Sequence, residues 1–142
     1  MMTLGCCLAA HAILARLIPS PWWVPDLTVI GLILAVGRSP SRWLWYSALA
    51  GLVTMVWAMR HPAAVYAAYL GIGAALRILA GPWDVADARV QGLAAAAATA
   101  LLTGFLLWLD AGWSLPLAAL AVVRIGMTYV TLPLARRLLR GV

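Results

Sequence analysis

The sequence predicts an all-α integral membrane protein, a bundle of six transmembrane helices joined by short loops in a single domain over residues 1–142. Three observations predict it. Hydrophobic residues make up 65% of the chain and charged residues 10%, whereas a soluble domain is about 45–50% apolar and about 25% charged. The mean hydropathy is +0.99. The apolar residues also fall in continuous runs rather than in alternation, which selects helices over a barrel. A soluble enzyme, a disordered chain and a nucleic-acid-binding domain of the usual kind are excluded, because none could cover its surface with so little charge.

Six runs follow in order. The first, 2–18, is ended by Pro19-Ser20-Pro21. The adjacent Cys6 and Cys7 within it are badly placed to bridge each other and read as small apolar filler. The second run, 25–36, opens on Pro25-Asp26. Proline suits a first helical turn, and a carboxylate there complements the positive end of the helix dipole. It closes at Gly37-Arg38-Ser39-Pro40-Ser41-Arg42. The third, 43–59, ends at Arg60-His61-Pro62, and the fourth, 63–80, at Gly81-Pro82. A polar stretch with Asp84 and Asp87 precedes the fifth run, 90–109, which ends at Asp110-Ala111-Gly112. The sixth runs from 115 to about 135, with Pro133 expected to kink or end it before Arg136-Arg137. A spanning helix needs roughly 20 apolar residues. The first run is marginal and the second short, a tilted span or a re-entrant piece, so five spans are the alternative to six.

All ten basic residues are Arg, and the four acids are all Asp. With six spans and a cytoplasmic N-terminus, Arg38, Arg42, Arg77, Arg89, Arg136, Arg137 and Arg140 face the cytoplasm and only Arg16 and Arg60 face outward. That bias is the positive-inside pattern, and it puts both termini in the cytoplasm. The charge is therefore expected to serve orientation at the lipid bilayer, with no nucleic-acid partner. Trp22, Trp23, Trp57, Trp108 and Trp113 fall at outer span ends, and Trp43, Trp45 and Trp83 at inner ends, as interface anchors do.

No nucleophile elbow, Walker sequence, CxxC or HExxH occurs. The expectation is a protein that is not an enzyme, with no catalytic residues, no metal and no cofactor. Three features stand out within the spans. Arg124 lies about ten residues into the sixth run, where a charge costs roughly 2.5–3.5 kcal/mol on insertion scales. No acid is expected at that depth. The guanidinium must then be satisfied by backbone carbonyls and hydroxyls such as Thr128 and Thr99, or by a partner or ligand. His11 sits midway along the first run. A buried, neutral, hydrogen-bonded imidazole is expected, since a proton relay would need a neighbouring acid. Small residues recur at helical spacing in two runs: Ala67, Gly71 and Ala75, then Gly92, Ala96, Ala100 and Gly104. Such ridges let helices approach closely, within the bundle or against an external transmembrane helix. Arg124, His11 and Asp26 are the candidate polar contacts; Ala67, Gly71, Ala75, Gly92 and Ala96 are the candidate packing positions.

The chain resembles the MreD family, the small multi-span proteins of the bacterial rod-shape system. Val24-Pro25-Asp26-Leu27 resembles the family's Arg-Pro-Asp/Asn-Leu segment opening span two. The basic turn 37–42 follows it, the Gly51 region resembles a Gly-rich segment of the next helix, and the tail from Pro133 through Arg136, Arg137 and Arg140 resembles the family's basic end. Val24 stands where Arg is usual, and Met55 where an acid often follows the helix-three Gly. The resemblance implies a non-enzymatic scaffold of the cell-wall elongation machinery in the bacterial inner membrane. It would bind an MreC-like membrane-anchored protein and, with it, the cell-wall synthase assembly. It also implies a fold similar to the substrate-binding components of ECF vitamin transporters. The alternatives are such a transporter component and a small accessory subunit of another membrane complex.

Overall fold

A computed structural model describes residues 2–18, 23–58, 60–84, 87–110 and 114–139. Trp22, Gly112, Trp113 and Arg140, each part of the topology reading, lie outside the described residues, as do Pro19-Ser20-Pro21 and the side chain of Trp57. All regular structure among the described residues is helical: α1 (Met2–Leu17), α2 (Leu27–Arg38), a 3-10 turn (Pro40–Arg42), α3 (Trp43–Trp57), α4 (Pro62–Leu79), α5 (Ala88–Asp110) and α6 (Leu115–Leu138). Three of the six helices, α4, α5 and α6, are long and apolar enough to cross a membrane.

The organising element is α2. Every residue from Leu27 to Val36 is buried, and α1, α3, α4, α5 and α6 all pack on it. A helix apolar on all sides has no face to give to water or headgroups, so it takes the centre. Its 12 residues span only about 18 Å, short of the roughly 30 Å hydrocarbon core. The remaining depth is made up by the chain entering it: Val24, Pro25 and Asp26 are buried too. Non-helical backbone at such a depth is tolerated only where protein satisfies it. Here the Leu27 N–H donates to the Pro25 carbonyl at 2.8 Å, and the Asp26 N–H donates to Thr128 Oγ1 on α6 at 2.9 Å.

Close approach around α2 depends on small residues. A Cβ at Gly31 would lie 2.7 Å from Cys7 Cβ, so the α1–α2 contact exists because Gly31 has none. Cys7 is accordingly buried and Cys6 exposed, both as free thiols. On α4, a Cβ at Gly73 would fall on the Ser47 hydroxyl of α3. That hydroxyl donates to its own helix at the Trp43 carbonyl, at 2.7 Å. At the other end of α2, Arg38 donates to Thr3 Oγ1 at 2.6 Å and to the Leu139 carbonyl at 2.7 Å. The start of α1 and the end of α6 are thereby held at one end of the bundle.

The outer surface is inverted relative to a soluble protein. Trp45, Val56, Leu101, Trp108, Leu115 and Leu134 are exposed, while Asp26, Thr28, Ser47, Thr99 and Thr128 are buried. Pro133 does not end α6, which continues through it to Leu138. The missing N–H leaves one carbonyl of the preceding turn without its helical donor, a loss neighbouring helices and hydroxyls can absorb in a bundle.

Candidate functional site

Arg124 was expected to have no acid at its depth, and the structure overturns this. Its Nη2 lies 3.3 Å from Oδ2 of Asp26. Asp26 is 1% exposed, not at the outer surface. The reason is the descent of residues 24–26 into the bundle, which starts α2 level with the middle of α6. Asp26 also caps α2, its Oδ1 accepting the Val29 N–H at 3.2 Å. Arg124 and Thr128 are one helical turn apart and share the face of α6 that meets α2. Thr128 does not serve the guanidinium. Its hydroxyl accepts from the Asp26 N–H and donates to the Arg124 carbonyl at 2.9 Å. Thr99 Oγ1, the other expected partner, has no hydrogen bond among the described residues.

His11 belongs to the same group. Asp26 and Arg124 both act electrostatically on its ring, which lies beside the Pro25 carbonyl, so an acid does neighbour it, contrary to the expectation. The ring is within hydrogen-bonding reach of that carbonyl, and its Nδ1 has no partner among the described residues. The structure thus brings together the three polar residues singled out from the sequence.

Beside the ion pair is a cavity of about 200 Å³. Its polar lining is His11 from α1, Thr28 from α2, Thr54 from α3, Tyr69 from α4 and Arg124 from α6. Leu8, Val65, Leu102 and Leu106 supply apolar wall. Thr54 donates to the Ala50 carbonyl at 2.8 Å. The Thr28 and Thr54 hydroxyls neighbour the Tyr69 hydroxyl, and among the described residues the buried Arg124 Nε has no hydrogen-bond partner. The sequence reading missed Thr28, Thr54 and Tyr69. Thr28 carried the one available signal, since it follows Asp26 by two residues in the first turn of the same helix. Nothing in the chain's order places Thr54 or Tyr69 beside it.

A second concavity, about 550 Å³, runs between α4 and α5 and is lined almost wholly by apolar atoms. Ala67, Gly71 and Ala75 form its α4 wall, facing Ala94, Ala97 and Leu101 of α5. All three α4 residues are exposed, and a Cβ at Gly71 would meet nothing within 4 Å. The second ridge differs. Gly92 is buried, and a Cβ there would lie 2.9 Å from the Tyr129 ring of α6, while Ala96 is half-buried.

Among the described residues, no group of three His, Cys, Asp or Glu side chains is placed to hold a metal ion. Compared with protein-family models, with curated proteins and with solved structures, the chain matches none.

Proposed function

We propose that this chain is a non-enzymatic scaffold subunit of the bacterial cell-wall elongation machinery, MreD-like, seated in the inner membrane with both termini cytoplasmic and six spans. Its partner is an MreC-like protein, held by that protein's single transmembrane helix. The α4–α5 groove is the observation that supports this reading. Its α4 wall runs from Ala64 to Leu79, roughly 22 Å along the helix axis. That length accommodates about four turns of a second helix. The small side chains at Ala67, Gly71 and Ala75 leave room for the close backbone approach on which helix association in lipid depends. Internal packing does not use this ridge: α4 meets α3 through Gly73 on another face. Val24-Pro25-Asp26-Leu27, the segment that carries the resemblance, sits at the buried entry to α2. There it holds the bundle's internal ion pair and leaves docking to the outer helices.

The test is co-expression with the MreC-like protein of the same organism and purification through a tag on that protein. Gly71→Leu places its side chain in the groove from a position where a Cβ meets nothing within 4 Å, so it should abolish co-purification while leaving the protein folded; Gly71→Ala should preserve it. Retained co-purification with Gly71→Leu would remove the groove from the reading. Recovery of an ATPase-bearing transport module in place of cell-wall proteins would favour the transporter component.

A further inference from the structure

At one end of the bundle a positive charge is held in place. Arg38 closes α2 with its side chain exposed, yet the guanidinium is fixed from two sides. Its Nη1 donates to Thr3 Oγ1 at 2.6 Å and its Nη2 to the Leu139 carbonyl at 2.7 Å. An exposed arginine ordinarily loses rotamer freedom when a ligand orders it; this one has lost it on folding. Both of its partners are neutral, so they leave the charge uncompensated. Of the five N–H groups of a guanidinium, the two contacts use two, and three remain. Arg42, which ends the 3-10 turn, and Arg137, in the last turn of α6, are exposed at the same end. Among the described residues the acids of this end are Asp84 and Asp87. Both lie in the α4–α5 connection, where Asp87 Oδ1 accepts the Arg89 N–H at 2.7 Å.

The apolar surroundings set the depth of this charge and the kind of ligand. Leu44 and Trp45 follow Arg42 closely and are exposed. Tryptophan on the surface of a membrane protein belongs at the headgroup level, where its amphipathic ring meets both phases. Met2 and Leu138 adjoin Thr3 and Leu139, the two residues that hold Arg38, and both are exposed as well. The held charge is thus bordered by apolar side chains. A free phosphate or an acidic peptide would leave these uncovered; a molecule with an anionic head and hydrocarbon tails meets both. Guanidinium groups bind phosphate oxygens through two parallel N–H bonds. A zwitterionic headgroup would add a positive charge among the arginines, which disfavours it.

We propose that this end of the bundle is a binding site for one anionic glycerophospholipid. Arg38 holds its phosphodiester, Arg42 and Arg137 add attraction, and its acyl chains lie on Met2 and Leu138. The proposal rests on the membrane seat of the chain and not on its cell-wall partner.

Native mass spectrometry of the full chain, released from detergent micelles with added lipid, tests it. The probes are dioleoyl phosphatidylglycerol, phosphatidylcholine with the same acyl chains, and glycerol phosphate, which has the head without the tails. Phosphatidylglycerol should be retained one per chain and about tenfold more tightly than phosphatidylcholine, the worth of one charge-assisted hydrogen bond. Glycerol phosphate should not be retained. Arg38→Lys keeps the charge but loses the planar fork, and should weaken phosphatidylglycerol about tenfold. Arg42→Lys and Arg137→Lys keep the diffuse attraction and should stay within about twofold of the parent. Thr3→Val keeps every charge and removes one tether, and is the second variant should Arg38→Lys not fold; it should weaken binding about threefold through lost pre-organisation. Equal retention of the two lipids, a loss no larger for Arg38→Lys than for Arg42→Lys, or an unchanged affinity in Thr3→Val would each overturn the proposal and leave a surface that attracts anions at large. Glycerol phosphate bound as tightly as phosphatidylglycerol would make it a phosphate site and refute the lipid assignment.

Discussion

Removing the charge from Asp26 alone should cost more than removing both charges of the pair. Asp26 is 1% exposed and the Arg124 side chain 20%. At their separation of 3.3 Å and an effective dielectric of about 20, the attraction is about 5 kcal/mol, most of it offset by taking both groups out of water. The net value of the pair is therefore small, but the cost of orphaning one member is not. Asp26→Asn keeps a side-chain cap for the Val29 N–H, because Asn caps helices as well as Asp does. What it loses is the counter-charge of Arg124, at about 2–4 kcal/mol, the lower end reflecting Arg124's partial exposure. Arg124→Leu leaves the more deeply buried carboxylate alone and should cost about 3–5 kcal/mol. The double variant, Asp26→Asn with Arg124→Leu, should return to within about 1–2 kcal/mol of the parent, since it removes both charges and leaves neither uncompensated. The assay is an SDS titration in mixed micelles followed by tryptophan fluorescence. Additive losses, with the double variant as unstable as the sum of the singles, would refute the reasoning and show that the two side chains do not act as a pair.

Two glycines two residues apart on α4 should respond oppositely to the same change. Gly73→Ala drives a methyl onto the Ser47 hydroxyl and should destabilise by about 1–3 kcal/mol, whereas Gly71→Ala meets nothing and should be neutral or stabilising by up to about 1 kcal/mol; both are read by the same titration. Arg38→Ala removes the contacts to Thr3 and Leu139 and should cost about 1–2 kcal/mol, while making the ends of α1 and α6 the first sites of limited proteolysis. In a cysteine-free background, Pro62→Cys should be labelled by an impermeant maleimide added to intact cells and Ser39→Cys should not. Labelling at Ser39 would reverse the orientation inferred from the arginines.

Class and element order were legible because they depend on composition and on run length, which are local. Continuous apolar runs broken by Pro, Gly and Arg mark helices wherever the chain lies, and all six appear in order. Arg124, His11 and Asp26 could be singled out because a charge or an imidazole in an apolar run is conspicuous by itself. Their relation could not be read, because depth was counted from the ends of runs as though each helix crossed the bilayer at full length. The second run does not. It is apolar on every side, so packing draws it to the centre, and its helix alone is shorter than the hydrocarbon core, so residues 24–26 descend with it and carry Asp26 to the level of Arg124. Likewise, the spacing of Ala67, Gly71 and Ala75 marked a smooth helix face but not its neighbour. Gly73 and Ser47 decided that α3 would take a different face of α4 and leave the ridge open. Sequence by itself determined what each segment is. Which segment lies inside, and so which charges meet, was decided by competition among all the helices for one buried position, a property no single run contains.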